Sequence, residues 1–503
     1  RHLVCSDSIF PGEGGYVIRT VHDPFATGVN VLVLAGADEA GVARAIEVFA
    51  DRYITDGQDV ALDQPVVDVE FTPTYHRFYP EVSDWASSKR QPLYSTMEYF
   101  RRYLQRAGLM NDDGNVIRRG DGNLTTVTGA IARIAETWWW TGDPALPPLM
   151  KQVLDANRHL LAVVPERVEM ESASAAHVPW WDIVEELPFW TDEDRLQVTN
   201  ALLADALQGH ERRAAHRLVS EGAVQVLDEN HGTNSALNSY TAWQYFDRYY
   251  DVPEAEYWMR VASAVFSAQC STYQTLEDAA GYLCYAPADA IIYALWSGDL
   301  CYMDRGVART QAEFIAQACV SNLGLATGFG DSADLVYPGV FQAIARAGWY
   351  YKDPSLLWVA YEALHPNCGL RVYQSNIPVD LTVETAPPVE WTGMNRLPIY
   401  KQTLRKGEGP TEAVFDPKES AGDEWFNKIV FREAWDPDAQ YLLLDGCGSF
   451  HEFEGYPAGP SGHRHDDINT IPCFTDEGRL WLVDHTYGSR AIKEHSGLYI
   501  TRD

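Results

Sequence analysis

Three short stretches of this chain hold residue types that can move protons or grip an anion. The first is Glu229-Asn230-His231-Gly232-Thr233-Asn234, which leads into a helical pattern with Leu237, Tyr240 and Trp243 on one stripe. Asn230 and His231 are therefore expected just before a helix N-terminus, where backbone N–H groups and the dipole favour an anion such as a carboxylate. The same two residues are also ordinary cap and turn formers. The second stretch is Gly281-Tyr282-Leu283-Cys284-Tyr285. A buried tyrosine beside a cationic partner can give or take a proton despite a reference pKa of about 10, although packing between helices is the commoner duty of such a ring. The third is Gly462-His463-Arg464-His465-Asp466-Asp467, followed by Asp484-His485 and His495. Imidazoles, a guanidinium and carboxylates at such density suit a metal or an anionic ligand, and a solvated turn is the plainer alternative.

Composition narrows the partners. The 503 residues carry 39 Lys and Arg against 71 Asp and Glu, a net charge of −32. That field repels nucleic acid and anionic membranes, so neither is an expected partner. It also repels an anionic polysaccharide, so such a substrate would have to be held by local Arg, Asn and His groups in a screened cleft. Hydrophobic residues make up 46% and charged residues 22%, the balance of a folded globular protein. No stretch approaches the run of roughly 18 apolar residues that a membrane span needs. The eight cysteines (5, 270, 284, 301, 319, 368, 447 and 473) form no C-x-x-C pair and leave the redox compartment open.

The elements that must position these stretches change character along the chain. Residues 30–53 read as a strand (Asn30 to Ala35), a turn with a cap at Gly36-Ala37-Asp38, and a helix with Val42, Ile46 and Phe49 on its buried face. The Gly36/Gly41 spacing is loop-like, but Val42-Ala43 stands where a phosphate loop needs Lys and Ser or Thr. Helical periodicity then dominates residues 76 to 375. Thr191-Asp192-Glu193-Asp194 is a start signal, and helices are expected near 92–108, 125–141, 236–250, 255–272, 286–298, 306–320 and 338–350. Consecutive helices on short loops imply stacked hairpins, as a solenoid or a closed toroid. Residues 375–395 read as a Pro-bearing linker. Beyond it the period becomes two, with strands at Lys428 to Ala434, Gln440 to Leu444 and Arg479 to Asp484 around the turn Trp435-Asp436-Pro437-Asp438-Ala439.

An Asn-His-Gly-Thr turn before a helix, Tyr285 54 residues after His231, a G-H-x-H-x-D segment and the later W-L-V-D-x-x-Y-G run at 481–488 together resemble the heparinase II/III and alginate lyase group of polysaccharide lyases. The resemblance implies a multidomain α+β architecture. Its parts are a small N-terminal α/β domain (1–75), a central (α/α) toroid of helical hairpins (76–385) and an antiparallel β-sandwich (386–503) whose remaining strands would follow residue 503. It implies a secreted or periplasmic bacterial enzyme that cleaves a uronic-acid polysaccharide or oligosaccharide, with no organic cofactor and with a homodimer as one possible assembly. By that resemblance Asn230 neutralises the uronate carboxylate, His231 is a base, Tyr285 or Tyr282 is the acid, and His463 assists. Arg464, Glu229 and Tyr487 are substrate-binding candidates. His465, Asp484 and His495 match a Zn²⁺ site found in some members.

The chemistry accounts for these residue types. Taking the C5 proton of a uronate builds enolate-like charge, which donors such as Asn230 must neutralise while an acid protonates the leaving O4 oxygen. A competing reading is a glycoside hydrolase on a helical toroid, which needs paired carboxylates such as Asp182, Glu185 and Glu229. A non-catalytic glycan-binding protein is a third.

Overall fold

The computed structural model describes residues 6, 11–25, 27–55, 59–60, 62, 65–70, 97–164, 176–212, 215–216, 219, 230–273, 279–330, 338–364, 383–397, 428–446 and 470–484. The chain divides into two compact units. The first comprises Arg1–Arg217, Leu237–Arg260 and Tyr373–Val379, and the second Leu218–Ala236, Val261–Val372 and Asp380–Asp503.

The first unit opens with β1 (Tyr16–Val21), β2 (Val31–Gly36), α1 (Glu39–Tyr53), a two-residue ladder of β3 (Ile54–Thr55) and β4 (Asp59–Val60), and β5 (Val67–Glu70). β1 is the centre of an antiparallel sheet of order β2-β1-β5, with Ile18 opposite Leu34 on one side and Asp68 on the other. The expected strand, turn and helix are present, and Asp38 caps α1 by accepting from Gly41 N at 2.8 Å. The buried face of α1 differs from the expected one. Gly41, Ala45 and Val48 face the sheet with Phe49 partly buried beside them, while Val42 and Ile46 are exposed. The reason is a close backbone approach: a Cβ on Gly41 would stand 2.2 Å from Gly15 O, and one on Gly36 2.1 Å from Val42 N. These glycines serve packing, which explains their spacing without a phosphate.

The helices of this unit are α2 (Met97–Arg106), α3 (Leu124–Thr141), α4 (Leu146–Asn157), α5 (His177–Val184), α6 (Asp192–Arg212) and the later turns of α7 (Asn230–Tyr249). α3 is buried nearly all round, closed by an Asn123 capping box and by Gly142 in the left-handed region at φ 67°. The Thr191 start signal forms as read: Thr191 N donates to Asp194 Oδ2 at 2.8 Å and Asp194 N to Thr191 Oγ1 at 3.1 Å. On α6 Leu196 is exposed, and Val198, Ala201 and Leu202 lie inside.

The second unit holds the first turns of α7, then α8 (Ala255–Gln269) from Val261 onward, α9 (Tyr285–Ser297), α10 (Cys301–Asp304), α11 (Val307–Ala318), α12 (Pro338–Tyr351) and α13 (Pro354–Trp358). Its sheet is an antiparallel meander of order β10-β9-β8-β7-β6, from β6 (Gly393–Leu397), β7 (Lys428–Arg432), β8 (Tyr441–Asp445), β9 (Cys473–Asp476) and β10 (Arg479–Val483). The end of the expected linker is thus strand β6, which pairs Met394 with Phe431. On β7 the buried residues are Lys428, Val430 and Arg432, while Ile429 and Phe431 are more open. Lys428 pairs with Asp445 at 2.5 Å, and Arg432 Nη2 donates to Val320 O at 2.6 Å with Trp435 and Tyr441 over its guanidinium. Buried charge is tolerated there because each head group has partners. Among the described residues no helix is long and apolar enough to cross a membrane.

Candidate functional site

Asn230 and His231 lie in the first turn of α7, one step further into the helix than their reading as residues before it. No acidic side chain belongs to that turn, and the positive end of a helix favours an anion. Below it Gln269 Nε2 of α8 donates to Thr233 Oγ1 at 2.7 Å, with both residues buried. Gly232 and Thr233 are buried, whereas His231 is exposed. The Oδ1 atom of Asn230 is buried and has no hydrogen-bond partner among the described residues. Such a group usually has a use, and a ligand is one.

The tyrosines are held as firmly. Leu283 N and Tyr282 N donate to Ala279 O at 2.9 and 3.0 Å, Tyr285 N donates to Tyr282 O at 3.0 Å, and Ala280 N donates to Phe329 O at 2.9 Å. The rings of Tyr282 and Tyr285 meet edge to face, centroids 5.6 Å apart. Tyr285 is the first residue of α9 and is 40% exposed, while Tyr282 is half-buried. Gly339 of α12 closes on this turn, for a Cβ there would stand 2.8 Å from Cys284 Sγ and 3.8 Å from Tyr285 Cδ1. Asn230, His231, Tyr282 and Tyr285 all belong to the second unit.

The chain is similar in structure to heparinase III. The likeness to a heparinase III crystal structure has a TM-score of 0.46 at 12% identity, covering 91% of this chain and 67% of that one. For the heparan sulfate lyase HepC from Pedobacter heparinus the values are 0.40, 12%, 81% and 59%. A further heparinase III gives 0.39, 12%, 81% and 59%. The chain therefore spans about three fifths to two thirds of the length of these proteins. No protein-family model matches it, and no curated protein does.

One pair near the tyrosines escaped the sequence reading. Asp289 follows Tyr285 by one turn of α9, and burial pushes its carboxyl up to about 7 against the pull of Arg346. Arg346 of α12, itself lowered to about 10 by burial, donates through Nη1 to Ala288 O at 3.2 Å. The i, i+4 spacing from Tyr285 was the available signal.

Glu229, His463, Arg464, His465, Tyr487 and His495 lie outside the described residues. Asp484 is buried at the end of β10, where its N–H donates to Pro472 O at 2.8 Å and its carbonyl packs on Gly328. The described residues contain no group of three His, Cys, Asp or Glu able to hold a metal.

Two carboxyl groups of the hydrolase reading, Asp182 and Glu185, sit inside the first unit. Tyr245 Oη donates to Glu185 Oε2 at 2.5 Å, and burial pushes Glu185 up to about 7. His22 stands 3.7 Å from both Asp182 Oδ1 and Glu186 Oε1 and stacks on Tyr249. Those distances are ion-pair contacts, and the Asp182 carboxylate raises the imidazole above its ordinary value. The adjoining cavity, lined by Thr20, His22, Trp139 and Glu186 among others, has a volume of about 10 Å³. That is room for about one water and for no sugar ring. Asp182 and Glu185 are thus buried carboxyl groups with partners in the interior of the first unit.

Proposed function

We propose that this chain is a polysaccharide lyase that cleaves a uronic-acid polymer by β-elimination, leaving an unsaturated uronate end. The observation that carries the reading is the presence, in one compact unit, of an exposed His231 in the first turn of α7 and an exposed Tyr285 in the first turn of α9. The uronate carboxylate would sit at the α7 terminus, where the Asn230 amide and backbone N–H groups offset its charge and so acidify C5–H. His231 takes the C5 proton, and the phenol of Tyr285, or of Tyr282 beside it, delivers a proton to the departing O4 oxygen. The C4–O4 bond breaks as the C4=C5 bond forms, so no water enters the products.

His463 and Arg464 would complete the cleft, with Glu229 and Tyr487 as further sugar contacts. A Zn²⁺ held by His465, Asp484 and His495 would brace the β-sheet segment, and no step of the elimination passes through it. A polymeric substrate also places the protein outside the cytoplasm. The test is a panel of alginate, glucuronan, hyaluronan and heparan sulfate, read by the ultraviolet absorbance of the conjugated product. Growth of that absorbance with one of these polymers, lost in His231→Ala, supports the reading. New reducing ends without absorbance would assign a hydrolase, and binding without either would assign a glycan-binding protein.

A further inference from the structure

Cys270 follows the last residue of α8, and Cys301 is the first residue of α10. The two chain segments are clamped side by side by consecutive residues. Arg305 Nη1 donates to Ser271 Oγ at 2.8 Å, Gln311 Nε2 donates to Thr272 O at 2.7 Å, and Tyr273 Oη donates to Arg305 O at 3.0 Å. In this fixed register the Cys301 side chain is a neighbour of Cys270, whose Sγ donates to Phe266 O at 3.3 Å. Both are thiols in this structure, Cys270 buried and Cys301 half-buried.

We infer that Cys270 and Cys301 are a disulfide-forming pair that links the C-terminal end of α8 to the start of α10. Disulfides persist in secreted and periplasmic proteins, so the pair suits a chain working outside the cytoplasm. The route follows exposure. The Cys301 thiolate, the more open of the two, attacks an external disulfide such as oxidised glutathione, and one glutathione thiol leaves. Cys270 then loses its proton and attacks the Cys301 sulfur of the mixed disulfide, and the second glutathione thiol leaves. Two protein thiols are oxidised by two electrons and one small disulfide is reduced to two thiols. Burial holds the Cys270 thiol well above its ordinary range, so the first attack falls to the more open Cys301 and the second becomes efficient only once the mixed disulfide is held beside Cys270.

The link would close a loop over residues 271–300, the stretch that carries Tyr282, Tyr285 and the whole of α9. It would therefore tie together both ends of the segment holding the tyrosine turn. Closing a loop of this size restricts the unfolded chain and is expected to raise the melting temperature by about 5 °C or more.

The test needs no substrate, so its failure is separate from failure of the lyase reading. The intact chain is incubated with oxidised glutathione, alkylated and mapped without reduction. Trypsin with a glutamate-specific protease cuts at Arg260, Glu277 and Arg305, which puts Cys270 and Cys301 in different peptides. The expected result is a linked 261–277/278–305 species assigned to Cys301 by fragmentation, absent in Cys301→Ser and in dithiothreitol. The melting temperature should rise on oxidation of the wild type and stay level in Cys301→Ser. Both thiols alkylated after incubation, Cys301 halted as a glutathione adduct, or Cys270 joined to another cysteine would each overturn the inference.

Discussion

Tyr245 Oη donates to Glu185 Oε2 across 2.5 Å in the interior of the first unit, with Asp182, Glu186 and His22 gathered beside it. The folded protein holds the Glu185 proton more tightly than the unfolded chain does, since burial raises the group from 4.5 to about 7. Its contribution to stability is complete below about 4.5 and declines as the pH climbs to about 7. His22 is also raised, so its ion pairs are present below its ordinary 6.5 and are lost as the pH passes its higher folded value. Both effects run the same way. The first unit is expected to melt lower at pH 8 than at pH 5, and Glu185→Gln is expected to flatten that slope. Calorimetry of the two proteins across this range checks it, and a wild-type melting temperature that rises with pH would refute the assignment.

Gly41 makes a second expectation. Its missing Cβ would fall 2.2 Å from the backbone oxygen of Gly15, which has no flexible end to yield. Gly41→Ala should cost about 3 kcal/mol or more, beyond the usual range for an overpacked contact, by separating α1 from β1 and β2. Hydrogen exchange in Tyr16–Val21 should rise sharply in the variant. A Gly41→Ala protein with wild-type protection would show that the glycine is not needed for packing.

Gly339 offers a compensated pair. An alanine there meets Cys284 Sγ at 2.8 Å and presses on the turn that carries Tyr282 and Tyr285. Gly339→Ala is expected to destabilise the second unit by about 1–3 kcal/mol and to lower turnover. Removing the sulfur with Cys284→Ala should recover most of both losses, a coupling that a double-mutant cycle measures directly. Additive effects would mean that the two residues do not press on one another.

Much of this fold could be read from the chain because its signals are local. Thr191 and Asp194 announced the start of α6, and strands β7, β8 and β10 fell within a residue or two of the expected runs. What escaped depends on distant partners. The face of α1 turned because Gly41 could approach Gly15 O, a contact no helical period encodes. Lys428 and Arg432 face inward on β7 because Asp445, Asn322 and Val320 O await them, against the simple rule that charge faces water. The site shows the same division. Asn230-His231 and the two tyrosines were visible as motifs at helix starts, whereas Asp289 became a candidate only when α12 brought Arg346 beside it.

The central claim is tested most directly by single-site kinetics of Tyr285→Phe and Tyr282→Phe on whichever uronate polymer the wild type converts, with binding of that polymer measured in parallel. One of the two variants is expected to lose at least about a hundredfold in turnover, the usual worth of a general acid, while polymer affinity changes little. Wild-type turnover in both variants, or the same loss with affinity abolished as well, would contradict a tyrosine acid and with it the elimination mechanism proposed for this chain.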